Sequence, residues 1–181
     1  WIDAFVLHIQ GSGRIVLTDG TIMRVGYAAQ NGRPYVAIGR ELIARGALAA
    51  ADVTMPAIRT WLAAHPQEAQ DVMNRNPSFV FFRSLPAPQN INDGPPGAEG
   101  VALTPGRSLA VDRRFIPLGM PLWLDAADPL TPDQRVRRLM VAQDTGGAIT
   151  GPVRGDVFWG AGADAAERAG KMRSAGRYWL L

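Results

Sequence analysis

Short apolar segments separated by glycine, proline, asparagine and aspartate recur along the whole sequence. The chain contains 20 glycines and 14 prolines among its 181 residues, a composition that favours many turns over long helices. Two dipeptides, Asp19-Gly20 and Asn31-Gly32, lie between strand-length apolar segments. Such dipeptides are typical of β-hairpin turns because both central residues can adopt positive φ. The pattern predicts a mainly β fold with a few short helices.

The first half of the chain is predicted to open as a β-meander and to continue into short helices. The apolar run "AFVLHIQ" at residues 4–10 predicts a strand, and two more strands are expected on either side of Asp19-Gly20. A helix is predicted at about residues 39–45. Thr54 is expected to cap a second helix, with Pro56 in its first turn. "QEAQDVMNR" then predicts another helix and "SFVFFR" a strand.

Residues 84–100 are rich in proline, glycine and asparagine and lack hydrophobic periodicity. This segment predicts a linker at the end of a first domain, residues 1–100, which is followed by a second domain, residues 101–181. The second domain is expected to contain one helix, at about residues 163–169, and five strands. The strands are predicted over "SLAVD", "PLWLDA", "RVRRLMVAQD", "VRGDVFW" and "RYWLL".

Composition excludes several classes of function. Cysteine is absent, which excludes disulfides and thiolate chemistry. The formal net charge is +3, and no block of lysine and arginine contains interleaved aromatic residues, so nucleic acid is not an expected partner. No apolar run has the length of a membrane span, and no signal peptide is visible. Because the sequence opens directly on an apolar run, we expect it to begin partway through a fold.

Three aspartates of the second domain, Asp112, Asp144 and Asp156, lie at the ends of predicted strands. If residues 141–144 and 153–158 form a hairpin, Asp144 and Asp156 become cross-strand neighbours, with Cβ atoms about 4.5–5.5 Å apart. Two carboxylates at that distance resist ionising together, so one pKa rises. A carboxyl group that is still protonated near neutral pH can act as a general acid.

Other roles for these aspartates stay open at this point. An aspartate beside glycines is often only a turn or capping residue, and this role is favoured for Asp112. A calcium site would use all three carboxylates, although their spacing is not that of an EF-hand. The triplet Asp144-Thr145-Gly146 also occurs around the catalytic carboxylate of aspartic proteases. Only one copy is present, and Gly147 follows it where those proteases usually have serine or threonine, so half of such a protease is the less favoured alternative.

Several separated motifs resemble the membrane-bound lytic murein transglycosylase A family. In the second domain these are "LAVDRRFIPLGMPLWL", "DTGGAITGPVRGDVFWG" and "RAGKMRSAGRYWLL", which resemble the family's C-terminal 3D domain. That domain is named for three aspartates, which correspond here to Asp112, Asp144 and Asp156. In the first domain, residues 5–46 and "NPSFVFFR" resemble the family-specific barrel domain.

The resemblance implies a double-psi β-barrel joined to a second β-barrel, with a glycan held in the groove between them. The family's N-terminal segment is absent from this sequence, so the double-psi barrel is expected to be incomplete. We therefore expect unpaired sheet edges near residues 108–112 and 176–181. The implied activity is cleavage of the β-1,4 bond between N-acetylmuramic acid and N-acetylglucosamine in peptidoglycan, with the muramoyl 6-hydroxyl as nucleophile and a 1,6-anhydro end as product.

The resemblance also assigns residues. Asp156 falls on the family's catalytic aspartate and would act first as acid and then as base. Asp144 would support it, and Asp112 would hold loop structure. No cofactor or metal is implied, and His8 and His65 lack metal-ligand spacing. The candidate substrate-binding residues are Gln10, Gly11, Ser12, Gly146, Gly147 and Trp159.

The implied partners are peptidoglycan glycan strands and other cell-wall enzymes, with the protein acting as a monomer. The implied location is the periplasm, where family members are anchored to the outer membrane as lipoproteins. A non-catalytic peptidoglycan-binding module with the same fold is the competing hypothesis. An intact Asp156 with its flanking motif favours the enzyme, because a binding module would not need that carboxyl group.

Overall fold

The computed structural model describes residues 1–87 and 93–181. The chain divides into two compact units, residues 1–87 and residues 88–181. Residues 88–92, which belong to the predicted linker, lie outside the described residues. The boundary predicted between residues 100 and 101 stays a prediction.

The first unit combines a three-stranded antiparallel sheet, whose strands lie side by side in chain order, with four helices. One apolar core lies among the helices and is formed by Ile38, Leu42, Ile58, Leu62, Ala69, Val72 and Met73. The elements in chain order are α1 (Ile2–Gln10), β1 (Ser12–Val16), β2 (Ile22–Gln30), α2 (Gly39–Ala44), α3 (Met55–Ala64), α4 (Pro66–Asn74) and β3 (Val80–Ser84).

The first element corrects a prediction, because residues 4–10 form part of helix α1 and not a strand. Apolar Ile2, Phe5, Val6 and Ile9 follow the i, i+3, i+4, i+7 spacing that places side chains on one helical face. The helix ends at Gly11, which has a φ of 74° and donates its N–H to the Leu7 carbonyl. Glycine suits this left-handed position because it has no Cβ.

The hairpin predicted at Asp19-Gly20 is confirmed. It joins β1 to β2, and the Thr21 N–H donates to Asp19 Oδ1 over 2.8 Å. The hairpin predicted at Asn31-Gly32 is wrong, because β2 pairs with the distant strand β3. The Asn31 side chain instead ties these two strands together. Its Nδ2 donates to the Pro77 carbonyl over 2.8 Å and its Oδ1 accepts from the Phe79 N–H over 3.0 Å.

The three helices predicted between residues 39 and 75 are confirmed as α2, α3 and α4. Thr54 caps α3 as predicted, since its hydroxyl accepts a hydrogen bond from the Ala57 N–H. Pro56 lies in the first turn, where its missing N–H costs nothing. Trp61 packs against the helical core. Of the helices described in residues 1–87 and 93–181, none is both long enough and apolar enough to span a bilayer.

The second unit combines a five-stranded sheet with one helix. The elements of this unit are β4 (Ser108–Val111), β5 (Pro121–Ala127), β6 (Arg135–Asp144), β7 (Gly155–Val157), α5 (Ala163–Lys171) and β8 (Gly176–Leu180). The strands lie in the order β7-β4-β6-β5-β8, where β4 runs parallel to β6 and the other neighbouring pairs are antiparallel. All five strands and the helix predicted for this region are confirmed, as is the mainly β fold class.

The order of the strands corrects two predictions. Residues 141–144 and 153–158 do not form a hairpin, because β4 lies between β6 and β7 and pairs with both. The edge predicted near residues 108–112 is wrong for the same reason. The edge predicted near residues 176–181 is confirmed, since within the described residues β8 pairs with β5 on one side alone.

The apolar core of the second unit lies on one face of this sheet. Leu109 and Val111 of β4 point into it, and strand alternation then sends Ser108 and Ala110 to the opposite face. The core is formed by Leu109, Val111, Ile116, Leu122, Leu124, Ala126, Val136, Met140 and Ala142. The face opposite this core carries the candidate site.

Candidate functional site

Strand β4 brings the three aspartates to one face of the sheet. Ala110 is the register partner of Asp144 on β6 and of Asp156 on β7. Paired residues on neighbouring strands point to the same face, so the two carboxylates flank the small Ala110 side chain. Asp112 follows Ala110 by two positions, and the alternation of a strand places it on the same face. From Ser108 to Asp112, alternate positions therefore face the core or the site.

The same register keeps Asp144 and Asp156 apart. They lie on strands separated by β4, and two strand spacings amount to roughly 10 Å. The distance of about 5 Å expected from a hairpin is therefore wrong. Direct electrostatic coupling between Asp156 and Asp144 was expected from that hairpin, which the structure does not contain.

Asp156 is the most accessible carboxylate of the three. Its side chain is 47% exposed, and Arg154 binds it through two hydrogen bonds. Arg154 Nε donates to Oδ1 over 2.7 Å, and Nη2 donates to Oδ2 over 3.1 Å. This ion pair raises the pKa of Arg154.

Asp144 anchors the segment that precedes β4. Its Oδ1 accepts the Ala98 N–H over 3.0 Å, and burial raises the pKa of its carboxyl group against the opposing effect of the Thr145 and Ala98 N–H groups. The neighbouring Gln143 accepts the Glu99 N–H on its carbonyl and the Ser108 hydroxyl, over 2.6 Å, on its side chain. The end of β6 is thus a fixed point for the chain around residue 98.

Asp112 is buried and connects two loops. Its carboxylate accepts hydrogen bonds from the Arg114 guanidinium and backbone N–H, and from the Gly151 N–H over 2.8 Å. These bonds, with the Arg114 side chain first among them, hold the pKa of Asp112 well below its usual range. The contact with Gly151 fixes the loop that leads into β7, and therefore the strand that carries Asp156.

The two glycines after Asp144 lie in an exposed loop. Neither Gly146 nor Gly147 has a positive φ, so the turn itself does not require glycine there. A Cβ on Gly146 would come within 3.0 Å of Ile149, whereas a Cβ on Gly147 would meet nothing within 4 Å. Open space at Gly147 is compatible with an approaching ligand, and the substrate-binding role of both glycines stays a prediction.

Trp159 packs on the core side of the sheet. It contacts the apolar core together with Val157, and its Nε1–H donates to the Met172 sulfur over 3.3 Å. The Arg168 guanidinium lies 5.3 Å from the centre of its ring. This packing favours a structural role, and glycan binding by Trp159 stays a prediction.

The remaining substrate-binding candidates belong to the first unit. Gln10 is the exposed last residue of α1, Gly11 is its C-terminal cap, and Ser12 begins β1 opposite Gly26. His8, on the same helix, accepts the Val80 N–H on Nδ1 over 3.1 Å and packs 4.4 Å from the Phe79 ring. Burial lowers the pKa of His8, which is typical of a structural histidine.

Arg154 is the site residue that the sequence analysis missed. It lies two positions before Asp156, a spacing that places both side chains on one side of an extended segment. The sequence feature that could have indicated this contact is the Arg-x-Asp spacing at the start of a predicted strand. Among residues 1–87 and 93–181, no group of three or more histidine, cysteine or acidic side chains could hold a metal ion.

Comparisons with known proteins agree across the chain. The family model "MltA specific insert domain" matches residues 1–83, and the "3D domain" model matches residues 107–181. The membrane-bound lytic murein transglycosylase A of Escherichia coli K12 is 39% identical over 188 residues, which cover 99% of this chain and 49% of that protein. This chain belongs to the membrane-bound lytic murein transglycosylase A family.

Two solved structures of this family show the same fold. A membrane-bound lytic murein transglycosylase from Agrobacterium tumefaciens is 41% identical, with a TM-score of 0.90 over 99% of this chain and 49% of that one. The E. coli protein, solved with bound chitohexaose, is 37% identical, with a TM-score of 0.88 over 99% of this chain and 53% of that one. The chain spans about half the length of the curated relatives that it matches.

Proposed function

We propose that this chain carries the acid–base site of a lytic transglycosylase that cleaves the β-1,4 bond between N-acetylmuramic acid and N-acetylglucosamine in peptidoglycan. The observation that carries the proposal is the half-exposed carboxyl group of Asp156, on the face of the sheet opposite the core. The names of the relatives, lytic murein transglycosylases, support the choice of reaction.

The geometry supports chemistry with a single carboxyl group. Ordinary glycosidases use two carboxyl groups, about 5–5.5 Å apart in retaining enzymes and about 6.5–9.5 Å apart in inverting ones. Here Asp144 lies two strands from Asp156 and binds the Ala98 N–H, while Asp112 binds Arg114 and Gly151. Both are committed to holding loops. A nucleophile supplied by the substrate removes the need for a second carboxylate.

In this proposal Asp156 transfers one proton in each direction. Its carboxyl group protonates the glycosidic oxygen, the bond from that oxygen to the muramoyl C1 breaks, and the electron pair remains on the departing oxygen. The muramoyl O6 then bonds to C1 and passes its proton to the Asp156 carboxylate. The products are a free 4-hydroxyl and a 1,6-anhydromuramoyl end. Asp156 regains its proton, and no water is consumed.

Replacing Asp156 separates an enzyme from a binding module. We expect Asp156→Asn, in the full-length protein, to reduce glycan cleavage by at least about 10³-fold, since the amide can neither donate nor accept the transferred proton. Binding of glycan strands and thermal unfolding should remain close to wild type. A variant that keeps cleaving would refute the assignment of Asp156. A folded wild-type protein that binds strands without cleaving them would support the binding module.

The cellular location and the partners of the protein are part of the same proposal. The relatives are named membrane-bound, and we infer a lipoprotein on the periplasmic side of the outer membrane that acts as a monomer on peptidoglycan strands, alongside other cell-wall enzymes. Fractionation of cells that express the full-length protein tests the location. Recovery in the cytosolic fraction would contradict it.

A further inference from the structure

The ion pair between Arg154 and Asp156 conflicts with the first step of the proposed reaction. Two guanidinium N–H groups donate to the two carboxylate oxygens, so both oxygens already accept hydrogen bonds from Arg154. A general acid has to carry its proton before it can donate it. The arrangement in the structure suits Asp156 as a base, and Arg154 has to leave it before Asp156 can act as an acid.

The pair is built in a way that allows this exchange. The Arg154 side chain is 52% exposed and that of Asp156 47%, and pairs that water reaches hold their partners weakly. Arg154 directly precedes β7 and follows the exposed Pro152 and Val153, of which Val153 is 86% exposed. The structure records no second ion pair for Arg154 among the described residues. A competing anion can therefore reach this guanidinium from solvent.

The substrate of the proposed reaction supplies such an anion beside the bond that breaks. A muramoyl residue differs from N-acetylglucosamine by a lactyl ether, which ends in a carboxylate or in a stem peptide with carboxylates of its own. A carboxylate matches the planar fork of arginine. We propose that Arg154 determines substrate specificity by exchanging Asp156 for a carboxylate on the muramoyl side chain, which frees Asp156 to take up its proton.

This inference rests on the proposed function and explains how one site could prefer muramoyl glycans to neutral ones. With a carboxylate-bearing strand bound, Arg154 positions the substrate and Asp156 is released. With a neutral strand bound, Arg154 stays on Asp156 and the acid step is impeded. After the proton has left Asp156, the carboxylate can pair with Arg154 again until O6 returns a proton.

The test compares three glycans that differ in the muramoyl side chain. Peptide-free strands carry lactyl carboxylates, the same strands coupled to methylamine carry neutral amides, and peptide-bearing strands carry only the peptide's carboxylates. The full-length wild type, Arg154→Ala and Arg154→Lys are assayed on each by kcat/KM. Arg137→Ala is the matched control, because it removes a half-exposed arginine that pairs with Asp125 elsewhere in the same sheet.

We expect the wild type to cleave peptide-free strands up to about fivefold faster than methylamidated ones, because an exposed ion pair contributes at most about that factor. Arg154→Ala should lose this preference through two opposite changes. It should be slower than wild type on the carboxylate strands and faster than wild type on the amidated strands. Arg154→Lys should keep part of the preference, because lysine retains the charge without the fork. Preferential cleavage of peptide-bearing strands would identify the stem-peptide carboxylates as the partner.

A merely structural arginine would give another result. Equal losses by Arg154→Ala on all three glycans would overturn the inference, as would a wild type that cleaves carboxylate and amidated strands equally. A change of preference in Arg137→Ala would show that general surface charge, and not Arg154, sets it. Failure of the wild type to cleave any strand would instead refute the proposed function, and the two failures are thus distinguishable.

Discussion

At the scale of single residues, the three aspartates share one face of a sheet but differ in what they contact. Asp156 pairs with a half-exposed arginine, Asp144 accepts a backbone N–H from the segment before β4, and Asp112 is buried among donors. The environments therefore separate one candidate for proton transfer from two residues that hold loops. Each of the two loop-holding assignments can be tested separately.

Replacement of Asp112 should destabilise the protein in a pH-dependent way. Its pKa in the folded state lies below the ordinary value of 3.8, so its ionised form contributes stability that is fully present above that value and is lost as the pH falls through the lower folded pKa. We expect Asp112→Asn to lower the Tm by a few degrees, on the order of 5 °C, at pH 7. The difference from wild type should shrink below about pH 4. A difference in Tm that is independent of pH would contradict this account.

Asp144 should behave in the opposite way. Burial raises its pKa in the folded state, so its ionisation opposes folding above the ordinary aspartate pKa, and this effect disappears at lower pH. We expect Asp144→Asn, whose side-chain oxygen can still accept the Ala98 N–H, to be at least as stable as wild type at pH 7. The gain should vanish below about pH 4.

Activity provides the second check on Asp144. Because β4 separates it from Asp156, we expect Asp144→Asn to retain cleavage within about tenfold of wild type, in contrast to Asp156→Asn. Loss of activity as complete as in Asp156→Asn, in a folded protein, would show that Asp144 takes part in proton transfer after all.

At the scale of elements, the predictions were correct where one local sequence feature determines the structure. Thr54 with Pro56 marked the start of α3, and Asp19-Gly20 marked the first hairpin. The segment at residues 4–10 was misread because a short apolar run fits a strand and a helix equally well. Its helical spacing and the glycine that follows it were the deciding signals.

The end of α1 offers a test at this scale. Gly11 has a φ of 74°, and a Cβ added there would meet its nearest neighbour only at 4.0 Å, so strain rather than crowding opposes substitution. We expect Gly11→Ala to lower the free energy of unfolding by about 1 kcal/mol. Gly11→Asn should cost less, because asparagine tolerates the left-handed region better. Equal unfolding midpoints in urea for Gly11→Ala and wild type would contradict the proposed cap.

Strand order could not be predicted in the same way. The sequence predicted all three aspartates at strand ends. The structure confirms this for Asp112 and Asp144, whereas Asp156 is the middle residue of the three-residue strand β7. The pairing of β4 with both β6 and β7 is non-local, since β4 runs parallel to a strand more than twenty residues away. A hairpin between residues 141–144 and 153–158, which are neighbours in sequence, would place Asp144 next to Asp156. The contact between Arg154 and Asp156 depends on the extended backbone before β7, which an Arg-x-Asp spacing alone does not determine.

At the scale of the whole molecule, the described residues form two compact units with separate cores. All three aspartates and Arg154 belong to the second unit, whose sheet ends at β8. The candidate site therefore depends on a few non-local pairings around β4 rather than on one continuous motif. This arrangement supports the proposal that a single carboxyl group serves a reaction whose nucleophile belongs to the substrate.

The identity of the product tests this proposal. Purified peptidoglycan would be digested with the full-length protein in ¹⁸O-labelled water, and the fragments analysed by mass spectrometry. We expect 1,6-anhydromuramoyl ends without ¹⁸O, because the muramoyl O6 and not water attacks C1. Reducing ends that carry ¹⁸O would show hydrolysis, and they would contradict the account.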